Sequence, residues 1–167
     1  MRVQYGSLLS GAAALGAVLA IAGAAQAEGK RDRLPPAVAK VVDENKPGAE
    51  IDKLEIEKES GITLYDIEFK GDQGEIEVAA DGTVIDVVTI VDMKDVPEAA
   101  AAAIRKAARG AAIKRLEKSE VRSKIVSEGG TGKLSRLAAP EYVYEAELSK
   151  GGEVEVGADG TIIKGPK

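Results

Sequence analysis

The sequence predicts an α+β protein of two tandem units, each one helix packed on a small antiparallel sheet. Three observations predict it. The phrase GEIEVAADGTVIDV at 74–87 returns as GEVEVGADGTIIKG at 152–165. Each phrase is preceded by an apolar stripe at helical spacing, and each is flanked by stretches in which apolar and polar residues alternate. Laid on itself, the chain matches Leu34-Pro35 to Val96-Pro97 at an offset of 62, Tyr65 to Tyr144 at 79, and Gly74 to Gly152 at 78. The jump in offset implies an insertion in the second unit, at about 122–140. The expected organisation is therefore a signal peptide at 1–27, a linker at 28–33, a first unit at 34–92 and a second at 93–167.

The N-terminal segment has one charge, Arg2, followed by an Ala-rich apolar stretch from about Leu8 to Ala22. Ala25-Gln26-Ala27 then fits the small-residue rule for cleavage before Glu28. Read instead as an uncleaved anchor, the stretch is short and rich in Gly and Ala. No later stretch is long and apolar enough to span a bilayer as a helix. The 167 residues contain no Cys and no His, which removes disulfides, thiolate and Ser-His chemistry and ordinary zinc ligation.

In the first unit Leu34, Val38, Val41 and Val42 form the helical stripe, with Pro35 and Pro36 tolerated in the first turn and Pro47-Gly48 as the stop. The second helix is expected to start at Asp95, with Glu98 at capping-box spacing, to present Val96, Ala100, Ala103, Ile104 and Ala107, and to stop at Gly110. Strands follow. Leu54 and Ile56 oppose Glu55 and Glu57, while Tyr65, Ile67 and Phe69 oppose Asp66 and Glu68. The Asp81-Gly82 and Asp159-Gly160 turns suit two-residue type I′ hairpins. Counting outward pairs Val78 with Ile85, Ile76 with Val87 and Glu77 with Asp86, and in the second hairpin Val156 with Ile163 and Glu155 with Lys164. Tyr65, Phe69, Tyr142 and Tyr144 fall in equivalent strands, as core anchors or as an aromatic platform.

The series Leu34-Pro35, Val38, Pro47-Gly48-Ala49, Ile51, Gly61, Tyr65 and Ala80-Asp81-Gly82 resembles the PepSY-like family of exported, β-lactamase-inhibitor-like bacterial domains. The resemblance covers both units, although Arg109 stands where the second would have its proline and Lys46 where an aromatic residue is common. It implies a helix on an antiparallel sheet and a non-enzymatic binding or inhibitory role outside the cytoplasm. It carries over no catalytic residue.

Charge points to binding rather than chemistry. The net charge of −5 becomes −6 once Arg2, the one charge of 1–27, is set aside. Residues 50–98 hold 15 acids and 4 bases; residues 105–136 hold 10 bases and 3 acids. The expected binding residues are Glu55, Glu57, Asp66, Glu68, Glu77 and Asp86 on an exposed sheet face, and Arg122, Lys124, Lys133 and Arg136 in the insertion. The partner class is a protein or peptide of the cell envelope. Nucleic acid is disfavoured, because no aromatic residues interleave with the bases. The same acids also admit a structural or weakly cation-responsive envelope role. No enzyme, cofactor or dedicated metal site is expected. The carboxylate pairs sit on a face expected to be solvated, which leaves nothing to split their pKa values. Neither Asp-Gly turn has the several oxygen ligands of a calcium loop. Gly129-Gly130-Thr131-Gly132-Lys133 lacks the outer Gly and Ser/Thr of a phosphate loop and reads as a flexible loop.

Overall fold

In the computed structural model, which describes Val3–Gln4 and residues 29–128 and 131–166, alternating residues build nine strands. Strand β1 (Val3–Gln4) is a two-residue strand on Val126 and Ile125. The remainder of the signal-peptide reading lies outside the described residues. Lys30–Arg33 form a short 3₁₀ turn, and helix α1 (Pro36–Asn45) follows with Pro35 at its N-cap. Strands β2 (Ile51–Glu59), β3 (Ile62–Phe69), β4 (Glu75–Ala79) and β5 (Val84–Ile90) come next. After helix α2 (Glu98–Ala108) run β6 (Ile113–Glu128), β7 (Thr131–Leu148), β8 (Glu153–Gly157) and β9 (Ile162–Lys164).

The α+β expectation is overturned: strands β2 to β9 pair successively into one continuous antiparallel meander, and the protein is mainly β. Two separate sheets would each leave an edge at β5 and at β6. These edges instead pair with each other, from Asp86 opposite Val121 to Ile90 opposite Glu117. That satisfies backbone groups that two small sheets would leave open. The expected insertion is also sheet. Beyond Val121 the strands β6 and β7 continue as a ribbon, Ser123 opposite Arg136 through Glu128 opposite Thr131, with β1 along the β6 edge. The flexible-loop reading fails at Thr131–Lys133, which are strand; Gly129 and Gly130 lie outside the described residues.

Both helices cover one face. Val38 and Val42 of α1 pack on Ile67, Phe69, Ile76 and Val78. Ala100, Ala101 and Ile104 of α2 pack on Tyr144, Ala146, Val154 and Val156. Phe69 and Tyr144 are therefore core anchors, whereas Tyr142 is 41% exposed with the Lys118 ammonium 5.6 Å from its ring centre. The expected capping-box start of α2 at Asp95 is replaced by a 3₁₀ turn, Met93–Asp95, and an N-cap at Pro97. Proline disfavours the helical conformation in the residue before it, and Val96 is extended.

The hairpins differ from the expected type I′. The amide of Gly82 donates to the carbonyl of Ala79 (2.8 Å), and that of Ala79 to the carbonyl of Thr83 (2.9 Å). Gly82 takes φ +87°, but Asp81 does not join it at positive φ; its carboxylate accepts from the Thr83 amide instead. This is a type I turn with a glycine bulge. A second bulge shifts the register: Glu77 faces Asp86 and Ile76 faces Val87 as expected, but Val78 meets Val84. Ile85 thereby turns to the helix-free face, against Leu64, Ala79 and Ile125. The other hairpin repeats the shift, with Glu155 opposite Lys164 and Val156 opposite Ile162 rather than Ile163.

Gly74, in the turn between β3 and β4, marks a close approach to β5. Its φ is +80°, and a Cβ there would stand 2.1 Å from the Val88 carbonyl oxygen. Gly74→Ala is expected to cost about 1–3 kcal/mol through left-handed strain and displaced backbone. Gly82→Ala, nearest to another chain segment at 3.2 Å, costs less. Thermal melts of the two variants check the order.

Candidate functional site

The face turned away from the helices carries ladders of acids. Directly opposite residues on neighbouring antiparallel strands share a face, with strands ~4.8 Å apart. Glu55, Asp66, Glu77 and Asp86 stand side by side on β2, β3, β4 and β5, and the row ends on Val121 of β6. One step along, Glu68 faces Glu75. In the other half Glu117, Glu145 and Glu155 form a row across β6, β7 and β8 that ends on Lys164.

Neutralisation is confined to the margins of these rows. Lys53 pairs with Glu55 at 3.1 Å and Glu68 at 3.3 Å. Arg115 pairs with Glu117, and Lys164 with Glu153 at 2.8 Å and Glu155 at 3.3 Å. The ribbon folds over one end of the first row. Ile125 packs against Leu64, Ala79 and Ile85, with Leu134 beside it, and the Gly132 amide donates to the Ser60 carbonyl at 2.7 Å.

Burial and like charge act together on these carboxyls. Glu75 and Glu77 are pushed up to about 9, first by burial and then by neighbouring acids, Asp66 and Asp86 among them. Asp66 is raised to about 6 by burial, with Glu68 and Glu55 adding to it. Asp86, 4% exposed, is raised to about 6 by burial; the Ser119 hydroxyl, 2.9 Å away, opposes the rise. Glu145 is raised to about 8 by burial, then by Glu153 and Glu155. At neutral pH the face therefore holds both protons and negative charge.

The six expected acids do share this face, but it is not the open, solvated surface that their alternation suggested. Asp86 is buried, Glu55, Asp66, Glu68 and Glu77 are half-buried, and Glu57 is exposed. The premise that no burial separates the carboxyl pKa values is overturned with it. The four expected bases do not form one patch. Arg122 donates to Asn45 Oδ1 at the end of α1 (2.7 Å) and to Glu120. Lys124 donates to Glu141 at 2.6 Å and its side chain is largely buried, whereas Lys133 and Arg136 are exposed. Sequence reading missed the row Glu117, Glu145 and Glu155. The alternation in EKSE and YEAEL signals their face, but only the β6–β7–β8 pairing brings them side by side. Among the described residues no group of three or more acids is arranged to hold a metal ion, and no helix is long and apolar enough to cross a membrane.

The architecture defined by these elements is an antiparallel meander with two helices on one face, and this fold is found in a solved structure. A protein from Bacteroides eggerthii, provisionally described as periplasmic, aligns over 78% of this chain and 86% of its own, at 9% identity and a TM-score of 0.51. A BLIP-like protein from Bacteroides fragilis aligns over 77% of this chain and 82% of its own, at 13% identity and a TM-score of 0.44. A DUF2874 family protein from Bacteroides ovatus aligns over 78% and 85%, at 10% identity and 0.44. At 9% identity the likeness to the B. eggerthii protein is one of fold alone. No family model and no curated protein matches the chain.

Proposed function

We propose that the protein is an exported, non-catalytic binding module whose helix-free sheet face receives a basic segment of a protein or peptide in the cell envelope. The observation that carries this reading is the row Glu55, Asp66, Glu77 and Asp86: four acids on four adjacent strands with no base directly opposite any of them. Like charges placed directly across strands destabilise a sheet. Such a row is retained at a stability cost that an incoming cation would relieve. Export is supported by the signal-like segment 1–27, and the fold shared with the B. eggerthii protein agrees with an envelope location. We also read 34–92 and 93–167 as two PepSY-like copies joined through β5 and β6, because each contributes a helix and four strands in the same order. Glu57 and the exposed Lys133 and Arg136 would lie outside the row as secondary contacts.

Calorimetric titration with pentalysine tests the reading. Binding is expected at low salt and weakens as salt rises, because the attraction is between charges. Affinity rises from pH 5 to pH 8 as Asp66 and Asp86, near 6, give up their protons, and rises further toward pH 9 as Glu75 and Glu77 begin to lose theirs. Equal affinity for an acidic peptide, or no binding of pentalysine at any pH, would overturn it. Saturable heat with calcium alone would favour the cation-responsive role instead.

A further inference from the structure

The row Glu117, Glu145 and Glu155 alternates imperfectly with its counter-ions. Glu117 is held by Arg115 from one side, and Glu155 by Lys164 from the other. Glu145, between them, is 6% exposed, and its Oε2 has no hydrogen-bond partner. A buried, unpaired carboxyl oxygen between two acids is costly unless something fills the gap. The charged groups around it come from every adjoining strand: Glu117, Arg115 and Lys114 on β6, Glu147 on its own strand and paired with Lys114, Glu153 and Glu155 on β8, and Lys164 on β9. With Glu145 itself, five acids stand against three bases, so the unpaired Oε2 suits a cation rather than an anion.

We propose that Glu145, flanked by Glu117 and Glu155, is a subsite for one cationic side chain, a lysine ammonium or arginine guanidinium, of the bound basic segment. This rests on the binding reading above and adds a second anchoring point in the β6–β9 half. Arg115 and Lys164 are long, partly exposed side chains at the ends of the row, so they swing aside without movement of the backbone. The incoming cation donates to Glu145 Oε2 and stabilises the ionised carboxylate. Binding near neutral pH therefore expels the proton that Glu145 holds in the free protein.

Calorimetry at pH 7 in two buffers of different ionisation enthalpy counts that proton. Pentalysine and pentaarginine are titrated separately into the protein, into Glu145→Gln and into Glu77→Gln. With Glu145→Gln, affinity is expected to fall about tenfold, the effect of losing one charge-assisted hydrogen bond. The number of protons released per peptide falls by about one, a readout that a merely structural role would not move. Whichever peptide loses more affinity identifies the preferred head group. Affinity and proton count both unchanged in Glu145→Gln, with Glu77→Gln weakened, would sink the subsite and leave the binding reading standing. Failure of the parent protein to bind either peptide would sink both.

Discussion

Glu77→Gln is expected to stabilise the protein by about 1–3 kcal/mol at pH 8, and by little at pH 4. The sign follows from the folded pKa of about 9, raised above the ordinary value of 4.5. Between these values the folded state holds a proton that the unfolded chain has lost. Stability therefore falls as pH rises through this window and levels off above about 9. Glutamine mimics the protonated side chain at every pH and abolishes that contribution. Glu75, also raised to about 9, behaves in the same way, but the two groups share neighbours and their effects will not add. The measurement is the melting temperature of parent and variant from pH 4 to pH 9. The curves should coincide in acid and diverge by several degrees in base. Parallel curves would mean that Glu77 is as well solvated when folded as when unfolded.

The second large effect is expected at Ile125. It is 1% exposed and fastens the ribbon to Leu64, Ala79 and Ile85. Truncating a buried isoleucine to alanine typically costs 2–5 kcal/mol. Here the global loss is capped by the free energy with which the ribbon docks, because the ribbon can lift while the meander stays folded. Ile125→Ala is therefore expected to speed amide exchange in 123–128 and 131–136 well before it lowers the melting temperature by the full amount. Ala79 follows Glu77 on the same face of β4, so undocking also admits water to the acid row. The pH range over which stability falls should narrow as Glu77 moves back toward its ordinary value. Uniform loss of protection across β2 to β9 would show that ribbon and sheet unfold as one.

These effects depend on two kinds of information. Local rules recovered much from the residues alone. Val38 and Val42 mark the buried stripe of α1, and Ile67 and Ile76 the helix-facing side of the sheet. The pairs Glu77 with Asp86 and Glu155 with Lys164 follow from counting out of the Asp-Gly turns. Each is decided within a few residues, by the helical repeat of 3.6 or the strand repeat of 2. Ile85 shows where such counting stops. A bulge turns it to the opposite face, where its neighbour is Ile125, a residue remote in sequence whose presence alternation along β5 cannot report.

The amino-acid sequence by itself determined which residues are apolar on one side and acidic on the other, because side-chain periodicity is a property of each strand alone. Tertiary structure decided that β5 and β6 join into one sheet, that the basic insertion becomes a ribbon folded over the acids, and that Glu145 is left between two neutralised neighbours. The physical reason is that edge pairing, burial and charge screening arise between segments distant along the chain. A carboxylate's pKa answers to what surrounds it in space.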